Sequence, residues 1–261
     1  MDKYLKAINR QLEIEYNNYS KVIKRPAVLV SGGLDSSIIA VLTNKYFPDG
    51  ELFSFGTAKN ADRPFAEKLA EHLGKKINWL EIKGEDLENK LEIVKKLLIK
   101  SDVNPDLTNL SLALGYFLIF KKIKNEGFKY VFTGQGPDIL FAGYHRYRKI
   151  KASGGQSVRE SDYQISQMIR KDLPLLEIDK RRDSAMAEFF GLKLVNPYLE
   201  SDFVKLALEI PAKYKIKDKI EKYIVRQYAK SIGLPRELAT RPKKAFQYST
   251  GILRLVIKAL S

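Results

Sequence analysis

The chain has 261 residues, with 46 Lys and Arg against 31 Asp and Glu, a formal net charge of +15, and no cysteine. Disulfides, thiol nucleophiles and cysteine-ligated zinc are therefore excluded. At 44% hydrophobic and 30% charged residues, the composition is that of a globular protein rather than a disordered or fibrous one, and the length allows one domain or roughly two.

The first residues are polar and of mixed charge, with no apolar leader segment. The longest apolar run, residues 110–120, ends at Lys121 and Lys122 and is too short to cross a bilayer. The expectation is a cytoplasmic protein with no membrane partner. The excess of Lys and Arg favours a polyanion such as ATP, pyrophosphate or RNA, but the basic residues are scattered among acidic ones and bulk charge does not choose between these.

Tyr4, Leu5, Ile8, Leu12 and Tyr16 recur at helical spacing, which predicts a helix over residues 1–24. Residues 26–30 form a short apolar run ending in Ser31-Gly-Gly, the pattern of a buried strand entering a tight turn. A helix follows over 36–46, then strand 52–55, helix 62–73, strand 77–82, helices 85–100 and 108–126, and strand 130–133 entering a second glycine turn. Strands alternating with helices predict a parallel sheet covered on both faces. Beyond residue 144 the sequence predicts a basic, mobile loop over 145–161, then helices over 161–172, 176–190, 201–209, 219–232 and 251–260, with no buried strand. The division expected is an N-terminal helix (1–25), a nucleotide-binding α/β region (26–145) and a mainly helical part (146–261).

Residues 31–37, SGGLDSS, stand where a strand hands over to a helix, the place where open α/β sheets bind ligands. Gly32 and Gly33 let the backbone approach a ligand closely, Ser31, Ser36 and Ser37 supply hydroxyls, and the helix start presents unpaired N–H groups, a combination suited to phosphate. A Walker loop is excluded because its lysine is missing. Asp35 would repel phosphates unless a cation lay between them, which points to Mg²⁺ bridging the carboxylate and a polyphosphate. Residues 133–138, TGQGPD, repeat the arrangement at a second strand end and bring Asp138 as a second carboxylate for the same ion. On its own this second segment reads equally well as a plain loop.

The SGG-x-DSS string resembles the PP-loop of the N-type ATP pyrophosphatases, which cleave ATP between the α and β phosphates. Residues 133–147, TGQGPDILFAGYHRY, are similar to a segment of asparagine synthetase, with Gly134, Gly136, Asp138, Phe141, Gly143, Tyr144, Arg146 and Tyr147 in register. Residues 176–199 resemble that family's helical half, Lys222 to Arg226 its KxxLR element and residues 241–246 its RxKxxF tail. The resemblance runs over residues 26–250. It implies a parallel-sheet adenine nucleotide alpha hydrolase-like core with a helical C-terminal half, and an AMP-forming carbon–nitrogen ligase that adenylates a carboxylate such as aspartate, releases pyrophosphate and then takes an amine. It also implies Leu29, Phe55, Thr133 and Gly134 around adenosine, Ser31, Gly32, Gly33, Asp35, Ser36 and Ser37 around pyrophosphate, Asp35 and Asp138 on Mg²⁺, and Lys222 neutralising the phosphates, with Lys219 as its competitor.

The sequence departs from that pattern in ways that bear on the second half of the reaction. Gln135 and Ile139 stand where the family has acidic residues, and an amide cannot serve as a base near neutral pH, so the catalytic position at Gln135 is altered. Val195 replaces an arginine and Glu200 an aspartate near residues 197–199. No glutaminase segment with a catalytic cysteine is present in the chain, which leaves free ammonia, another amine or a separate glutaminase subunit as nitrogen source. The alternatives carried forward are a tRNA-modifying ATP pyrophosphatase and a nucleotide-binding regulatory subunit of a glutaminase; a homo-oligomer is left open. His72 reads as a surface residue, His145 as a neighbour of the site, and residues 144–151 as a lid over ATP or an RNA clamp.

Overall fold

The structure is a computed structural model and describes residues 1–84, 87–152, 158–242 and 249–260. Five strands, β1 (Ala27–Leu29), β2 (Glu51–Gly56), β3 (Ile77–Glu81), β4 (Tyr130–Phe132) and β5 (Lys193–Val195), form one sheet in the order β3-β2-β1-β4-β5. Every pairing is parallel. Alternate strand residues face opposite sides, so Val28, Val30, Leu52 and Phe132 enter one hydrophobic core while Ala27, Leu29, Phe53 and Phe55 enter another.

The helices in the first half are α1 (Asp2–Ser20), α2 (Leu34–Tyr46), α3 (Arg63–His72), α4 (Glu88–Lys100) and α5 (Leu107–Asn125). Helix α5 is apolar nearly all round and buried, as a helix enclosed between layers must be. Asp106 caps it by accepting from the Asn109 amide at 2.8 Å. After β4 come α6 (Pro137–Leu140), α7 (His145–Ala152), α8 (Val158–Phe189), α9 (Ser201–Glu209), α10 (Ala212–Lys215), α11 (Tyr223–Ser231), α12 (Arg236–Thr240) and α13 (Ile252–Leu260). Residues of α1, α2, α9, α11 and α12 share the first core, and residues of α4, α5 and α13 share the second.

The helical second half differs from expectation in four places. The stretch expected as a mobile loop is helical over α7 and again from residue 158, with residues 153–157 outside the described part. Tyr147, fully buried, anchors α7 on Ile165 and Ile169 of α8. The two helices expected over 161–172 and 176–190 are one helix of 32 residues with Pro174 inside it. A proline in a helix interior costs about 3 kcal/mol, but α8 buries Ile165 and Ile169 before it and Met186 and Ala187 after it, in two different cores. Strand β5 was not expected. At three residues with Lys193 exposed it has too little apolar pattern to show, and only its pairing with β4 makes it a strand. Finally, α11 begins at Tyr223 rather than 219, because Asp218, Lys219 and Lys222 all adopt left-handed backbone conformations. A hydrogen-bonded turn between Lys217 and Ile220 also precedes the helix.

Candidate functional site

Strand β1 pairs with β2 on one side and β4 on the other, so the chain reverses its direction of travel across the sheet at the β1–β4 boundary. Crevices beyond the carboxyl ends of strands at such a reversal are where open α/β sheets bind ligands. Both glycine turns leave the sheet there, and a cavity of about 400 Å³ opens between them. Its walls include Leu29, Ser31, Gly33, Asp35, Ser36, Phe55, Thr133, Gly134, Gln135, Asp138 and Lys222. Thus eleven of the positions singled out in sequence share one concavity although they come from four separate stretches of chain.

Two of the expected positions do not line it. Gly32 has φ +64°, and a Cβ there would lie 2.5 Å from the Ala66 backbone nitrogen, so glycine is required to seat the turn against α3. Ser37 is fully buried in α2 behind the turn. Gly33 is the N-cap of α2 and has no side chain to cap it, so the positive end of a 13-residue helix faces the cavity without a side-chain cap. The Ser31 amide donates to Ser36 Oγ at 3.1 Å and the Ser36 hydroxyl donates to the Gly33 carbonyl at 3.2 Å, which holds both hydroxyls at the turn. Gly134 lies against this helix start, where a Cβ would come within 2.6 Å of the Ser36 backbone nitrogen.

Lys222 joins the two turns. Its ammonium bonds the Asp35 carboxylate and lies 2.6 Å from Asp138 Oδ1. Burial by itself would lower its pKa; the Asp138 and Asp35 carboxylates outweigh that and hold it above the usual lysine range. The residue adopts φ +53° as the N-cap of α11, a conformation that costs a non-glycine residue about 1–2 kcal/mol. Lys219, its competitor, is exposed and absent from the cavity wall. Two carboxylates from different strand ends converging on one cation are the hard-oxygen donors that suit Mg²⁺. Among the described residues no group of three or more His, Asp or Glu side chains forms a cage.

A second charged cluster lies at another part of the same wall and was not foreseen. Arg182, only 4% exposed, donates to Asp179 at 2.5 Å and to Asp183 at 2.7 Å. Burial pushes the Asp183 carboxyl up to about 6 against the opposing pulls of Arg182 and, more weakly, of the neighbouring Gln135 side chain. Gln135 therefore belongs to this cluster rather than to the Lys222 group. Val195 and Glu200, the other departures from the family pattern, are not on the wall; Val195 is packed in the first core and Glu200 accepts a 2.7 Å bond from the Tyr19 hydroxyl. The apolar part of the cavity comprises Leu29, Phe55, Leu112 and Tyr116, with the Phe55 and Tyr116 rings 6.2 Å apart.

Further wall residues had no separate signal in the sequence. Asp62 starts α3, and Arg226 and Arg241 stand inside the family-like blocks without drawing attention to themselves. His72 and His145 are both exposed, and neither lines the cavity. Residues 243–246 of the RxKxxF segment lie outside the described part.

Comparison with known proteins agrees with the family resemblance. A glutamine-hydrolyzing asparagine synthetase of Gallus gallus is 30% identical over 232 residues, covering 85% of this chain and 39% of the relative. Asparagine synthetase B of Escherichia coli is 28% identical over 240 residues, covering 86% of this chain and 41% of its own. The chain thus spans less than half the length of these curated relatives. Among solved structures, a U34-tRNA thiolase of Methanococcus maripaludis covers 98% of this chain and 72% of its own at 14% identity, with a TM-score of 0.45. The asparagine synthase family model matches residues 24–193 and 152–259, nearly the whole chain, and the chain belongs to that family.

Proposed function

We propose that this chain is the synthetase part of an ATP-dependent, AMP-forming carbon–nitrogen ligase. The observation that supports it most is the meeting of Lys222, Asp35 and Asp138 at the mouth of two glycine turns on the strand-order reversal. In this reading residues 26–145 carry the nucleotide and the helical part completes the site. Adenosine occupies the slot of Leu29 and Phe55, near Thr133 and Gly134. The polyphosphate lies along Ser31, Gly33 and Ser36, where the uncapped amides of α2 point at it.

The carboxylate of the acceptor acid attacks the α-phosphorus, the bond to the bridging oxygen breaks, and pyrophosphate leaves. Lys222 stays protonated throughout and neutralises charge on the departing oxygens, where a fixed cation in a water-poor site acts most strongly. Asp35 and Asp138 would hold Mg²⁺, which would supply further neutralisation of the pyrophosphate charge. An amine then displaces AMP from the acyl-adenylate. Catalysis in this site is positioning and electrostatic stabilisation without covalent participation of the protein.

The test is carboxylate-dependent exchange of labelled pyrophosphate into ATP across a panel of acids with aspartate among them. Exchange with at least one acid is the expected result. ADP as the product, or ATP binding with no exchange for any acid, removes the reading.

A further inference from the structure

The cavity has a second cation beside the serine-glycine turn. Arg241, 8% exposed, reaches the wall and donates from one guanidinium nitrogen to the Ser31 carbonyl at 3.3 Å and from another to Asp62. Its guanidinium carbon lies 3.8 Å from the centre of the Phe65 ring. Asp62 is itself fixed, since its amide donates to Asn60 Oδ1 at 2.6 Å and Asn60 donates to the Phe55 carbonyl at 2.9 Å.

Behind Arg241 stands Arg226, one helical turn after Lys222 on α11. It is 7% exposed, and its guanidinium donates to the backbone carbonyls of Glu221 at 2.9 Å, Ala239 at 2.9 Å and Arg241 at 3.0 Å. A buried arginine spent on carbonyls holds backbone in place. Here it ties the start of the helix that carries Lys222 to the backbone of Arg241, so both cations keep one fixed relation to the turn.

We propose that Arg241 is a second cation for the anionic end of the ligand, contacting its phosphates beside Ser31, and that Arg226 is the positioning residue that keeps Arg241 there. The inference rests on the ligand being a nucleotide triphosphate. Three features support a binding role beyond a packing one: the guanidinium borders the cavity, its bonds to Ser31 and Asp62 use two of its five N–H donors, and ring stacking with the Asp62 pair fixes the fork before a ligand arrives.

The experiment is calorimetric titration of ATP, inorganic pyrophosphate and adenosine into the wild-type chain, R241Q, R241K and R226K, each checked for cooperative thermal unfolding. R241Q is expected to weaken ATP and pyrophosphate by roughly tenfold or more, the scale of a charge-assisted hydrogen bond, while adenosine binds as in the wild type. R241K keeps the charge without the fork and falls in between; R226K repeats the pattern more weakly. Equal loss for adenosine and ATP in R241Q marks a structural role and overturns the proposal, as does unchanged binding of all three. If R241Q does not fold, R241K decides, and unaltered pyrophosphate binding by it overturns the inference. Failure of the ligase reading is separately visible: a wild type indifferent to both ATP and pyrophosphate removes both ideas, ADP formation by it removes the ligase reading alone, and a wild type that binds ATP no better than R241Q removes this inference alone.

Discussion

The cavity carries two charged clusters of the same arithmetic, one cation between two carboxylates, assembled in opposite ways. Lys222 draws its partners Asp35 and Asp138 from distant parts of the chain, and all three stand at loop or helix starts. Arg182 takes its partners three residues back and one residue on along α8. The first cluster exists only when the fold is complete, and a ligand anion or a metal ion can compete for its members. The second is largely fixed by one helix and is nearly closed to solvent, with Arg182 and Asp183 each 4% exposed as side chains. A cation held by remote carboxylates at a cavity mouth suits a job in which charges rearrange. A cation held by its own helix suits a permanent wall.

The largest effect expected is on the wall. Replacing Arg182 by Met leaves Asp183 buried and Asp179 half-buried without their cation, a change that destabilises by about 3–5 kcal/mol, measurable by urea denaturation. Adding Asp183→Asn to Arg182→Met removes one of the stranded charges, so the double variant is expected to be more stable than the single one. A single variant as stable as the wild type would erase the distinction between the clusters.

The complementary change at the mouth acts on activity. Lys222→Met is expected to lower acid-dependent pyrophosphate exchange by roughly 10²–10³, the scale of losing one preorganised electrostatic group, with ATP binding less affected than turnover. Because the left-handed backbone at Lys222 is strained, Lys222→Gly relieves that strain while deleting the charge. Its exchange rate should fall as far as that of Lys222→Met even if its thermal midpoint does not.

A smaller loss is expected from Gly134→Ala, whose added Cβ meets the start of α2. Overpacking against backbone costs about 1–3 kcal/mol, and isothermal titration should show it as weaker ATP binding, because the displaced groups are backbone atoms of Asp35 and Ser36 at the serine-glycine turn.

Lys215 offers the smallest test and a contrast with Lys222. It is 3% exposed on α10 with no carboxylate among the causes of its shift; burial, aided by the charge of Arg170, pulls its pKa down to about 7. A lysine whose folded pKa lies below its unfolded value of about 10.4 binds fewer protons when folded. Its contribution to stability is therefore fully present above the unfolded value and is lost as pH falls towards 7. Lys215→Met is expected to stabilise the chain at pH 7 and to flatten the rise in stability between pH 7 and 10, read from denaturation curves at both ends. A Lys215→Met chain that keeps the wild-type slope would show that burial does not govern this lysine.

How much of this was legible beforehand follows the same line between local and remote. SGGLDSS and TGQGPD announce themselves because a strand, a glycine bend and a helix start are local patterns, and the parallel order follows from alternating strands and helices. Lys222 could be named through the family resemblance, yet its left-handed turn could not, since nothing in KDKIEKY spells out a helix delayed to Tyr223. Helix α8 passes over Pro174 because two separate cores grip its ends, and β5 is a strand because β4 offers it an unpaired edge. Neither fact is contained in the local sequence.

By itself the sequence determined the parallel layer plan and the two glycine turns with Asp35 and Asp138 in them, because these depend on side-chain period, backbone freedom and the hand-over from strand to helix. Only the tertiary structure decided which charges meet. Lys222 lies between Asp35 and Asp138, Gln135 comes beside Asp183, and Arg241 is braced on Ser31 and Asp62, because contacts between remote segments are fixed by how the helices close over the sheet.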